Sequence, residues 1–106
     1  MIEAKPLIID QHDVFRDWLL KLADDKARAR ITMRLRRLEL GNPGDVEPVG
    51  DGVSEMQIDY GPGYRVYYMA TDTTVVLLLC GGDKKSQARD IKRAKKLAEE
   101  VRHAKA

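Results

Sequence analysis

The sequence predicts an α+β fold in which two N-terminal helices and a C-terminal helix pack on a twisted, mostly antiparallel sheet. Apolar residues recur at helical spacing up to Leu38 and again from Ile91, whereas between Val46 and Cys80 they alternate or run together as strands do. The turns between those strands are too short for the crossovers that parallel neighbours need. No internal repeat or linker divides the chain, so a single domain over 1–106 is expected.

Leu7, Ile8 and Ile9 make a short strand after Pro6, ended by Asp10. Asp13 is placed to cap a helix in which Val14, Trp18, Leu19 and Leu22 share a face. Asp24 and Asp25 open a second helix with Ala27, Ile31, Leu35 and Leu38 on its inner side, and Gly41-Asn42-Pro43-Gly44 stops it. Val46, Val49, Val53, Met56 and Ile58, divided by Gly50-Asp51-Gly52, predict two strands joined by a tight turn. Gly61-Pro62-Gly63 turns into a strand over 64–70, a polar turn comes next at 71–73, and 74–80 is the most apolar strand. Ser86 is placed to cap the last helix, whose inner face carries Ile91, Ala94, Leu97, Ala98 and Val101.

At 106 residues the chain can bury one core and not two. Its 43% apolar and 34% charged content suits a water-soluble domain, and the longest apolar run, 75–80, is far too short to cross a bilayer. No basic segment followed by a long apolar stretch opens the sequence, so no membrane partner and a cytoplasmic location are expected. The single cysteine, Cys80, excludes an internal disulfide. His12 and His103 lie near opposite ends with no further ligand at metal spacing, so the site is expected to hold neither metal nor cofactor. Charge is uneven: residues 1–63 carry nine Lys/Arg against twelve Asp/Glu, and residues 64–106 carry ten against five. A basic second half is compatible with a phosphate-bearing partner.

Two glycine motifs lead nowhere. Gly61-Pro62-Gly63 precedes a strand rather than a helix and lacks the third glycine of a dinucleotide fingerprint, and Gly82-Asp83-Lys84 lacks the preceding glycine of a phosphate loop. What remains is a polar set on the central hairpins. Alternation puts Glu55 and Gln57 on the face opposite Met56 and Ile58, and pairing with the next strand adds Arg65 and Tyr67. Lys84 and Lys85 come where the last strand ends, at the same sheet edge as Arg65. Metal-free RNA cleavage needs a base for the ribose 2′-hydroxyl and cations for the transition-state charge. Glu55 would be the base, Arg65 the phosphate clamp, Lys84 or Lys85 the second cation, and Tyr60, Tyr64 and Tyr67 stacking platforms for bases. Equally, Glu55 and Arg65 would form a plain cross-strand ion pair. In either reading a partly exposed Arg65 is expected to be replaceable without loss of fold.

The runs "VSEMQIDYGPGYRVYYM" and "VVLLLCGGDKKSQARDIKRAKKLA", preceded by "RARITMRLRRLELGNPGDVEPVGDG", resemble the HigB-type branch of the RelE/ParE toxin superfamily, the addiction module killer proteins. The resemblance implies a RelE-like fold and a metal-independent endoribonuclease that cuts messenger RNA, commonly on the ribosome. It also implies a cognate antitoxin, HigA-like with a helix-turn-helix domain, through which alone operator DNA would be met. Arg65 matches the family's phosphate-binding arginine, Glu55 the acid or lysine position of the preceding strand, and Lys84 the second basic position. Gln57 stands where this branch shows a basic residue, which leaves a decayed toxin that only binds its antitoxin as an alternative. Asp90 and Ile91 occupy the region where relatives carry an aromatic or histidine acid, and His103 is a remote substitute. ParE-like members act on gyrase instead, and they generally lack the acid, arginine and lysine set.

Overall fold

Five strands and three helices succeed one another in the predicted order: β1 (Ile8–Gln11), α1 (Asp13–Lys21), α2 (Asp25–Glu39), β2 (Val46–Gly50), β3 (Val53–Ile58), β4 (Tyr64–Ala70), β5 (Val75–Gly82) and α3 (Gln87–Ala104). The structure, a computed structural model, describes residues 6–104. The sheet order is β1-β5-β4-β3-β2, antiparallel except for β1, which lies parallel to β5 at one edge. The long excursion through α1 and α2 to β4 and back is what lets β1 pair in parallel.

Both faces of the sheet are covered. On one face Met56, Ile58, Val66, Val76 and Leu78 bury Phe15 of α1 with Ile31 and Leu38 of α2. On the other, Val53, Tyr67, Met69, Leu79 and Cys80 meet Ala94, Leu97 and Ala98 of α3. The helix assignments hold with two local corrections. His12, not Asp13, is the N-cap of α1, its Nδ1 accepting from the Val14 amide at 3.0 Å. Ser86 precedes α3, but its hydroxyl donates to the buried Asp90 carboxylate one turn on. Asp24 caps α2 as expected, accepting from the Lys26 and Ala27 amides.

Asp51 and Gly52 have φ of 56° and 75°, the two left-handed residues that a two-residue hairpin turn demands, which fixes the β2–β3 register. A bulge then resets β5. Tyr67 pairs with Cys80 and Tyr68 with Leu78, so Leu79 is the extra residue. Leu79 and Cys80 consequently both turn to the α3 side, and the parity of the last two residues of the strand is reversed. Gly81 thereby faces Trp18 of α1, and Gly82 faces Asp90 of α3. A Cβ on Gly81 would lie 2.3 Å from the Trp18 ring, and one on Gly82 would lie 1.8 Å from Asp90 Oδ2. The glycine pair exists because two elements press on one strand end from opposite sides.

Gly82→Ala is expected to lower stability by about 1–3 kcal/mol, the usual cost of forcing volume into a packed site. Because the closest clash is with the Asp90 carboxylate, ahead of the Ser86 hydroxyl at 2.9 Å, combining it with Asp90→Ala should cost less than the sum of the single losses in a urea-denaturation cycle.

Candidate functional site

Glu55 does not face solvent. Its residue is 2% exposed, because the alternation that put it opposite Met56 turns it into the second core, beneath the start of α3. The expectation that Glu55 is the base is thus corrected, since α3 covers this face and the carboxylate cannot reach a substrate. The buried carboxylate is met by donors from three elements. Tyr67 Oη donates to Oε2 at 2.9 Å from β4, Gln57 Nε2 to Oε1 at 3.2 Å from β3, and Gln87 Nε2 to both oxygens at 2.9 and 3.2 Å from α3. Arg65 Nε stands 3.8 Å from Oε2, an ion pair without a hydrogen bond. Burying a carboxylate is tolerable only with this kind of satisfaction.

Arg65 is the hinge between that buried network and the surface. Its side chain is 11% exposed, and Nη1 donates to the Gly63 carbonyl at 2.6 Å. In register it sits opposite Gln57 on one side and Gly82 on the other. The chain leaving Gly82 brings Lys84 back against the 61–63 turn, where the Lys84 amide donates to the Pro62 carbonyl. Gln57, Gly63, Arg65 and Lys84 therefore line one open cleft of about 290 Å³, closed on its other side by Asp45, Ile58 and Asp59. Lys84 makes no ion pair among the described residues, so its ammonium is available to an anion in the cleft.

The other candidates separate. Tyr67 is fully buried, and its phenol is pushed up by burial and by the Glu55 carboxylate, so its ring is not available for stacking on a base. Tyr64 packs on the far face of the sheet, edge-on to Trp18 at 6.2 Å. Tyr60 lies against α2, its hydroxyl donating to Asp24 at 3.1 Å and Arg30 lying over its ring at 4.7 Å. Lys85 is exposed on the turn before α3 and does not line the cleft. His103 is exposed at the end of α3 beside Glu99. Gln87 was missed by the sequence reading, and Asp90, which it placed in the region of the relatives' acid, is 4% exposed. A glutamine opening a helix after a strand that ends in glycines is the one signal that could have pointed to Gln87. Among the described residues no group of three His, Cys, Asp or Glu side chains is placed to hold a metal ion, and no helix is long and apolar enough to cross a membrane.

Three helices on a five-stranded, mostly antiparallel sheet is the fold of RelE. The chain superposes on a double arginine-to-alanine mutant of the toxin RelE of E. coli in the free state with a TM-score of 0.68, at 18% identity over 85% of this chain and 94% of that one. On the RelBE2 toxin-antitoxin complex of Mycobacterium tuberculosis the TM-score is 0.58, at 20% identity over 74% of this chain and 99% of that one. The sequence from 17 to 103 matches the model of the family described as Phage derived protein Gp49-like (DUF891), and the chain belongs to that family. An uncharacterized protein of Haemophilus influenzae is 51% identical over 87 residues, 82% of this chain and 88% of that protein. Family and fold together bear out the resemblance to the RelE/ParE toxin superfamily.

Since Arg65 offsets a buried carboxylate, Arg65→Ala is expected to cost about 1–3 kcal/mol, and not to be neutral as its sequence position suggested. The neutral partner should repair it: Arg65→Ala combined with Glu55→Gln is expected to melt above Arg65→Ala alone.

Cys80 is no nucleophile, because burial, assisted by Asp90, pushes its thiol up to about 12. The unfolded thiol ionises near 9.0, so above that pH the unfolded chain releases a proton that the folded chain keeps. Stability from this group is complete below pH 9 and is lost as pH rises toward 12, with Tyr67 adding to the loss from about pH 10 upward. Urea midpoints tracked into the alkaline range should fall less steeply for Cys80→Ala than for the wild type.

Proposed function

We propose that this chain is the toxin of a toxin-antitoxin pair and that it cuts messenger RNA, on the ribosome, at the Arg65–Lys84 cleft without a metal. The observation that carries the reading is the convergence of a pre-positioned guanidinium and an unpaired ammonium in one open cleft. In the reaction the ribose 2′-oxygen attacks phosphorus, the bond to the 5′-oxygen breaks, and the products are a 2′,3′-cyclic phosphate and a 5′-hydroxyl. Arg65 holds the non-bridging oxygens as their charge grows, and Gln57 adds a neutral donor beside it. Lys84 gives its proton to the departing 5′-oxygen. Glu55 acts through Arg65, since its own oxygens are buried and occupied. The carboxylates open to the cleft are Asp45 and Asp59, and one of them takes the 2′-hydroxyl proton.

The antitoxin belongs to the same proposal. The RelBE2 neighbour is a toxin-antitoxin complex, which supports a protein partner for this chain, and the HigA-like, helix-turn-helix type comes from the family resemblance. The groove between α3 and the β2–β3 turn also has Asp51 and Glu99 on its walls, and Lys95 and Arg102 are engaged with Asp51, so Lys92 and Lys96 are the cations there that suit acidic residues of such a partner.

Primer extension on cellular messages after brief induction tests the reaction. New 5′ ends in translated regions are expected for the wild type. Arg65→Gln, which keeps bulk in place, should reduce them by about 10²–10³-fold and Lys84→Ala by about 10²–10⁴-fold. Arrested growth with intact messages would overturn the nuclease and leave a protein target such as gyrase.

A further inference from the structure

A second cleft, of about 220 Å³, lies between α2 and the end of β3. Its accessible apolar surface is Met33, which is 66% exposed although it is a large hydrophobic side chain, with the buried Ile58 behind it. Its rim is cationic, carrying Arg30, Arg34 and Arg37 from successive turns of one helix face. The three arginines are not equivalent. Arg34 is spent on the fold, donating to the carbonyls of Gln57, Pro43 and Asp45 at 2.6, 3.1 and 3.4 Å. Arg30 is held over the Tyr60 ring, itself pinned by Asp24, so this guanidinium is set in place with no carboxylate neutralising it among the described residues. Arg37 is exposed and likewise makes no ion pair among the described residues.

This cleft adjoins the Arg65–Lys84 cleft, since Ile58 and Asp59 line both. We infer that it is a flanking-nucleotide subsite, which seats one base of a single-stranded RNA on the exposed Met33 side chain and its adjoining phosphates on Arg30 and Arg37. The inference rests on the proposed nuclease reading, since it takes the RNA to run from one cleft into the next. An apolar surface with cations at its rim matches a nucleotide, whose base is flat and weakly hydrated and whose phosphate is charged. Asp59 fixes how the strand must run. Its carboxylate repels phosphate at the boundary, so the phosphates lie on the arginine and lysine walls and a ribose hydroxyl or base edge faces Asp59.

The test compares an RNA that fills one cleft with an RNA that fills both. Fluorescence anisotropy would monitor a 2′-O-methylated trinucleotide and a nonanucleotide binding to the full chain, wild type and the double variant Arg30→Ala/Arg37→Ala. The wild type should bind the longer RNA more tightly. The double variant should lose at least about tenfold on the nonanucleotide, with a salt slope shallower by about 1.4 for two single-strand phosphates, and stay unchanged on the trinucleotide, which also reports that it is folded. Equal binding of the two RNAs by the wild type, or undiminished nonanucleotide binding by the variant, overturns the subsite. If messages are still cut in cells, the subsite falls alone. If the wild type binds neither RNA and cuts no message, the nuclease reading falls with it.

Discussion

A buried carboxylate is the constraint around which this molecule is organised. Glu55 has given up water, and an ion in that position is tolerable only if every element around it supplies a donor or a positive charge. β3 supplies Gln57, β4 supplies Tyr67 and Arg65, and α3 supplies Gln87 from its first position. Satisfying one side chain thus ties the C-terminal helix to the two central strands at a fixed angle and depth. Charged hydrogen bonds of this kind are worth about 1.5–3 kcal/mol each when made, and the penalty for leaving one unmade is what enforces the geometry.

The same constraint sets the electrostatics of the surface above it. Arg65 is held between Glu55 below and the Gly63 carbonyl beside it, so its guanidinium arrives at the cleft already oriented. A flexible surface arginine would have to lose rotamer freedom to meet a phosphate; this one has lost it during folding. The cleft's second cation reaches it by a different route. The Leu79 bulge and the two glycines turn the end of β5 so that Trp18 and Asp90 can press from either side, and the chain then has no course but past the 61–63 turn, carrying Lys84 with it. Packing on both faces of one strand end therefore decides where a lysine stands on the surface.

Much of the fold was legible in the sequence. Helical spacing in 27–38, the Gly50-Asp51-Gly52 turn and the apolar run at 75–80 each have local physical causes, and the strand and helix order came from them. For the candidate site, the sequence pointed to Gln57, Arg65 and Lys84, which share one cleft, but misjudged the depth of Glu55 and Tyr67. Alternation in β3 separates Glu55 from Met56, but it does not say that both faces will be covered, and an acidic residue is naturally assigned to water. The burial of Glu55 depends on α3 folding back over that face, and its partner Gln87 is 32 residues away. Tyr67 was misplaced for the same reason: its strand parity was right and its cover was not anticipated. The bulge at Leu79 was invisible because a run of valines and leucines offers no break in pattern at which to place it.

Basic residues were the hardest to interpret, since their types are alike and their duties are not. Arg34 and Arg30 stand one helical turn apart on α2. Arg34 is held by three backbone carbonyls from the approach to β2 and from β3, so its donors are taken up by the fold. Arg30 leans on an aromatic face, a contact that orients a guanidinium without cancelling its charge. A count of arginines on this helix treats the two as equal. A phosphate does not, because only a guanidinium with free N–H donors can close on it. By that measure the effective cations on this side are Arg30 and Arg37 on α2 and Lys84 beside Arg65, and the surface that joins them passes over Ile58 and Asp59. Structure sorts the basic residues into those that hold the fold and those that face a partner, and charge totals from sequence cannot make that division.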